Sequence, residues 1–201
     1  MAWLALLLYL LGLLLAFGWR TFAQWRRTGD TGLRLDAGPV GRLRWWAKLL
    51  FVAALVLGLA GPTAALAGLP PLPGLDHRPL HVAGFVVTAV GIGATLAAQL
   101  AMGTSWRIGV DPSEHTELVT GGAFAYARNP IFTAMAVTML GLTLMVPNAA
   151  ALAALGVLIV ALQVQVRAVE EPYLIATHGD AYHRYAGRVG RFLPGLGRLT
   201  G

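Results

Sequence analysis

Two clusters of reactive or ligand-binding residue types stand out from an otherwise apolar chain. The first is the loop Leu118-Val119-Thr120-Gly121-Gly122-Ala123-Phe124-Ala125-Tyr126-Ala127-Arg128-Asn129-Pro130-Ile131-Phe132, with a Gly-Gly turn, aromatic rings, an arginine and an Asn-Pro step. Asparagine is a preferred N-cap and proline is favoured at the first helical position, so a helix is expected to start at Pro130. Its N–H groups and positive dipole end would face the loop and favour an anion. Taken alone, the step requires no more than a capped membrane helix. The second cluster is Gln163, Arg167, Glu170 and Glu171, whose spacing of i, i+4, i+7 and i+8 makes one helical stripe ending in paired carboxylates. Acids at a helix C-terminus oppose the macrodipole, so this stripe calls for a compensating cation, from a side chain or from a ligand. Pro172 follows at once and disfavours helical geometry at Glu171.

The remaining polar residues give weaker signals. His81, Thr88, Thr95 and Gln99 share one helical face, for which helix packing and an interhelical hydrogen bond are sufficient reasons. His115, His178 and His183 are weak acid–base candidates. There is no cysteine and no tight histidine cluster, so no metal site is expected. Gly91-Ile92-Gly93 is followed at the sixth position by Leu96 in an apolar stretch, which excludes a dinucleotide fingerprint. P-loop, Gly-x-Ser-x-Gly and His-Glu-x-x-His signatures are absent.

The elements that must position these clusters are membrane helices. Of 201 residues, 57% are hydrophobic and 12% charged, against about 25% charged in soluble domains. The net charge of +6 then reads as an Arg-rich cytoplasmic face rather than a nucleic-acid surface. Met1 to Trp19 carries no charged side chain and lacks a signal-peptide n-region and cleavage site, giving an uncleaved first span with its N-terminus outside. Residues 20–48 are basic, with a Gly38-Pro39 step and Trp25, Trp45 and Trp46 as an interfacial belt. The second span is Leu49 to Ala67, interrupted by Gly61-Pro62, and a Pro70–Gly74 loop follows. Pro79 to Trp106 holds the third. Residues 129–166 are uncharged and make about 57 Å of helix, enough for a hairpin of two spans turning at Pro147-Asn148. Five spans place fourteen of the fifteen Lys and Arg residues on one side, the cytoplasm, with only Arg78 opposite. The expectation is an all-α polytopic bundle of about five transmembrane helices. It forms one domain, 1–201, with halves 1–102 and 103–201, and ends in a basic amphipathic segment carrying Tyr182 and Tyr185 that could lie on anionic lipid. The Ala/Leu/Gly/Arg bias suggests a bacterial plasma membrane.

The two clusters together resemble the isoprenylcysteine carboxyl methyltransferase family, within the wider group that includes phospholipid N-methyltransferases. The family patterns are LVT-x-G-x-Y, R-H-P-x-Y, paired Glu and G-x-x-Y-x-x-Y. Here they correspond to Leu118 through Phe124, Arg128 through Phe132, Glu170-Glu171, and Gly179 through Tyr182 with Tyr185. The likeness covers about residues 103–194. It implies S-adenosylmethionine as methyl donor, S-adenosylhomocysteine as product, a cytosolic cofactor pocket and a lipophilic acceptor arriving from the bilayer. Donor contacts would fall on Thr116, Glu117, Leu118, Val119, Phe124, Asn129, Pro130, Ile131, Phe132 and Glu170 or Glu171. Arg128 and the Pro130 helix start would meet the donor carboxylate, and Glu170 or Glu171 its ammonium. Phe124, Tyr126 and Phe132 would wall the adenine. Arg167 would sit at the methyl-acceptor site and act with Glu170 as the catalytic pair, with Gln99 and Arg107 nearby.

Three departures from the family pattern bear on substrate. Asn129 stands where the family has His, Phe124 and Phe132 stand where it has Tyr, and Pro172 follows the glutamates. They point away from a prenylcysteine and toward another lipophilic acceptor. The other classes compatible with the sequence are a nicotinamide-dependent membrane reductase of isoprenoid or steroid-like substrates, a small transporter, and a non-catalytic family member serving as a membrane partner.

Overall fold

A computed structural model describes residues 1–34, 39–107 and 117–199. Six helices organise them: α1 (Ala2–Thr28), α2 (Leu43–Leu66), α3 (Arg78–Ala101), α4 (Pro130–Met145), α5 (Ala149–His178) and α6 (Asp180–Arg188). Helices α1, α2, α3 and α5 are long and apolar enough to cross a membrane, and α4 is a shorter apolar helix. The protein is an all-helical membrane bundle, with five apolar segments where hydropathy placed them. At 16 residues α4 is about 24 Å long, short of a hydrocarbon core of roughly 30 Å. The loop before it and the C-terminal segment pack over its N-terminal end.

The seam between α3 and α4 is the closest in the bundle. An added Cβ at Gly141 would collide with the backbone nitrogen of Thr88, and one at Gly91 would lie 2.6 Å from that of Thr138. Apolar side chains gain little by leaving lipid for one another, so membrane helices associate through small residues that let their backbones touch. The Thr88 and Thr95 hydroxyls donate back to Gly84 O (2.8 Å) and Gly91 O (2.9 Å), and Gln99 Nε2 donates to Ala16 O of α1 at 3.0 Å. Thr88 Oγ1 also lies 3.7 Å from Met145 Sδ of α4, so the polar face of α3 is a packing face with interhelical bonds to α1 and α4. Gly141→Leu, which drives a branched side chain into backbone, is expected to cost about 3 kcal/mol. Loss of the monodisperse peak in size-exclusion chromatography would report it, and a variant as stable as wild type would refute this account of the seam.

Two helices differ from their expected course. The first does not end at Trp19 but continues to Thr28, carrying Arg20 and Gln24 into the interior at 1% exposure each. Arg20 donates to Gln24 Oε1 (3.1 Å) and Gly103 O (2.8 Å), and its guanidinium lies 4.6 Å from the Trp106 ring centroid. Gln24 Nε2 donates to Thr104 O at 2.9 Å. A buried charge with this many partners is tolerated, and here it clamps the turn that leaves α3. In α5, Pro172 does not break the helix: Glu171 is helical at φ −60° and ψ −47°. A π-helical turn at Val166–Glu170 precedes it and relieves the proline's clash with the preceding turn.

That π turn also splits the expected stripe. The extra residue rotates everything after it by about 100°. Arg167 stays outside, donating to Gln163 Oε1 at 2.9 Å, while Glu170 and Glu171 turn inward. The amphipathic α6 does not lie with its apolar face on lipid. Tyr182, Tyr185 and Ala186 are buried against Leu118, Leu174 and Ile175.

Candidate functional site

The ends of α1 to α5 on one side of the bundle, the loop before α4 and Tyr182 and Tyr185 of α6 enclose a cavity of about 260 Å³. That is near the lower limit of small-molecule sites, roughly 300–1,000 Å³. Its inner end is apolar, formed by Phe17, Phe51, Phe132 and Met135. Gln165, Glu170 and Glu171 of α5 form an acidic part of its lining, and Arg34, Arg44, Lys48 and Arg107 form a basic wall.

The loop is held in place by the residues that follow α6. Ala127 and Gly190 form an isolated parallel bridge, Arg128 N donates to Gly190 O (2.9 Å), and Asn129 N donates to Arg191 O (3.0 Å). Thr133 Oγ1 donates to Phe192 O at 2.7 Å. The helix starts at Pro130, but Asn129 is not its side-chain cap. The Asn129 amide instead donates to Arg191 O at 3.0 Å. The first-turn N–H groups of α4 therefore keep no side-chain acceptor.

The paired glutamates have separate surroundings. Glu171 is buried, and its Oε1 accepts from Arg128 (2.7 Å) and from Arg191 Nε (2.8 Å), while Oε2 accepts from Arg191 at 2.9 Å. Arg128 also donates to Ala186 O (3.1 Å) and Gly197 O (3.0 Å), and lies 5.9 Å from the Tyr182 ring centroid. Both terminal nitrogens of Arg128 are thus engaged within the protein, while its buried Nε has no partner among the described residues. The compensating cation that the sequence demanded for Glu171 is supplied by side chains. In return, Glu171 holds the Arg191 guanidinium above its ordinary pKa. Glu170 is different. It borders the cavity, and its one hydrogen bond among the described residues comes from Gln165 Nε2 at 3.4 Å.

Burial pushes the Tyr182 hydroxyl up and the Tyr185 hydroxyl to about 12, so both stay protonated across the neutral range. Tyr185 donates to Phe124 O at 2.7 Å and so fixes an aromatic wall of the cavity. On the basic wall, Asp30 pairs with Arg34 at 2.6 Å and Arg107 at 3.7 Å. The Arg34 hydrogen bond is the main cause holding its carboxyl well below the usual carboxylate range.

Of the residues singled out in the sequence, Glu117, Leu118, Val119 and Phe124 line this cavity. So do Arg128, Asn129, Pro130, Ile131, Phe132, Glu170 and Glu171, with Gln99 and Arg107 beside them. Tyr126 does not: it is 71% exposed and outside the cavity. Arg167 is also exposed and outside it, so the structure does not bring the expected pair of Arg167 and Glu170 together. Thr116 and His115 lie outside the described residues. The contribution of α1, α2 and the segment between them (Phe17, Arg34, Arg44, Lys48 and Phe51) was missed. Its only trace in the sequence was the Arg- and Trp-rich stretch 20–48, which an interfacial belt explains equally well.

A family model described as phospholipid methyltransferase matches residues 79–181, from the start of α3 to the start of α6. No curated protein and no solved structure matches the chain significantly.

Proposed function

The chain belongs to the phospholipid methyltransferase family, and from this membership and its cavity we propose that it methylates a lipophilic, membrane-embedded acceptor using S-adenosylmethionine. The observation that carries the proposal is Glu170, a carboxylate facing the cavity with no cation of the protein against it among the described residues. A cationic ligand would complete that site. Beside it lie the uncapped N–H groups at the start of α4 and the aromatic faces of Phe124 and Phe132. This donor set fits a molecule that combines a cation, a carboxylate and an aromatic base.

When bound, S-adenosylmethionine supplies an electrophilic methyl on a sulfonium sulfur and leaves as S-adenosylhomocysteine. Glu170 would hold the ammonium or the sulfonium charge, and the α4 N-terminus would hold the carboxylate. Phe124 and Phe132 would wall the adenine, and Phe124 is immobilised for that by Tyr185. Charge is neutralised in such a transfer, so the protein contributes alignment and exclusion of water more than proton transfer. Arg34, Arg44, Lys48 and Arg107 would orient an anionic group of the acceptor, the task that the exposed Arg167 is badly placed to perform. The arginine excess on this side supports a cytoplasmic placement of the cavity.

Calorimetric titration of the detergent-purified protein with S-adenosylhomocysteine, with NADPH in parallel, tests the reading. Micromolar affinity for the former is expected. Binding of NADPH alone would replace the reading with a reductase, and binding of neither by a folded sample would leave a non-catalytic family member.

A further inference from the structure

A second, smaller cavity of about 50 Å³ lies deeper in the bundle and is bordered by all five apolar helices: Leu13 of α1, Leu55 of α2, Ile92 of α3, Met139 of α4 and Leu158 of α5. Phe17 and Met135 line both cavities, so the two are neighbours divided by these two half-buried side chains. We propose that this inner chamber receives the end of a single hydrocarbon chain of the methyl acceptor, an inference that rests on the methyltransferase reading of the outer cavity.

Three observations carry it. The first is polarity. The hydroxyls that border the chamber are already donating: Tyr9 to Leu55 O, Thr95 to Gly91 O (2.9 Å) and Thr138 to Ala134 O (2.9 Å). Water needs two to four polar partners to occupy a cavity, and a void without them stays dry or takes an apolar guest. The second is the backbone. α1 makes a π-helical turn at Leu14–Trp19, at the level of the partition, and places Ala16 and Phe17 on the chamber wall. π turns in α-helices are rare and gather at functional sites. This one is pinned by Gln99 Nε2 on Ala16 O at 3.0 Å, and Gln99 itself lines the outer cavity. The third is direction. The outer cavity presents charge at its walls and Phe17, Phe51 and Met135 at its inner end, so an amphiphile oriented by the basic wall would point its chain at the partition. Methionine is unbranched and flexible, a side chain able to move aside for a methylene chain. The chamber holds terminal carbons only and would act as a length gauge.

A saturated fatty acid with a diazirine at its terminal carbon is a suitable probe, since its carboxylate matches the basic wall. After photolysis of the whole protein in detergent, mass spectrometry is expected to find adducts on chamber residues such as Leu13, Ile92 or Leu158. Gly12→Leu fills the chamber: a Cβ there would lie 3.4 Å from Ile92, an ordinary contact. It should reduce those adducts at least tenfold while S-adenosylhomocysteine binding persists. Leu96→Phe is the second filling variant, to be used if Gly12→Leu loses that binding. Adducts confined to outward-facing Leu7, Leu10 and Leu14, or chamber adducts indifferent to both substitutions, would overturn the proposal. A wild-type protein that fails to bind S-adenosylhomocysteine would overturn the methyltransferase reading instead, whatever its adducts.

Discussion

Glu171→Gln is expected to destabilise the protein by about 3–5 kcal/mol, the usual cost of removing one partner from a buried ion pair. The carboxylate is buried, and three N–H donors from two arginines converge on it within 2.9 Å. Glutamine keeps the shape but offers one acceptor oxygen and no charge. Arg128 would remain in the interior with its charge unmatched, and Arg191 would lose the group that draws it inward. Because the segment carrying Arg191 also bonds to the backbone at Arg128 and Asn129, the loss should loosen the loop before α4 as well. A melting temperature lower by roughly 10 °C is expected for a chain of this length. Arg191→Gln should add little to Glu171→Gln in the double variant, since both break one network. A Glu171→Gln protein that melts like wild type would show that the triad does not hold the site together.

The sequence revealed the spans and the helix start at Pro130 because both are local. A span is a sum of transfer energies over about 20 residues, and a Pro at the first helical position is a fixed backbone preference. Arg20 was not legible as an interior residue. Hydropathy scores an arginine as a cost, whereas here Gln24 on the same helix and Gly103 and Trp106 from one distant segment complete its surroundings. The orientation of Arg167 was lost for another reason. Periodicity assumes 3.6 residues per turn, and one π turn shifts the phase, leaving Arg167 outside and bringing Gln165 and Glu170 to the cavity. The basic wall was illegible because positive-inside charge and ligand-facing charge look the same along a chain. Only the return of α1 and α2 toward the loop before α4 separates them.

The glutamates are adjacent in sequence, yet they should behave differently under the same substitution. Glu170→Gln is expected to leave the fold intact, because the carboxylate gives up only a long hydrogen bond from Gln165. Donor affinity should fall by roughly 10- to 100-fold, the range for one charge-assisted hydrogen bond of about 1.5–3 kcal/mol. Titrating wild type and Glu170→Gln with both S-adenosylmethionine and S-adenosylhomocysteine resolves which charge is met. The two ligands share the ammonium and differ by the sulfonium. Equal losses place the ammonium at Glu170, and a loss confined to S-adenosylmethionine places the sulfonium there. In the second case methyl transfer should fall further than binding, since the carboxylate would then act on the charge that disappears in the reaction. Unchanged affinity for both ligands in a correctly folded Glu170→Gln protein would remove Glu170 from the site, and with it the observation on which the donor assignment stands.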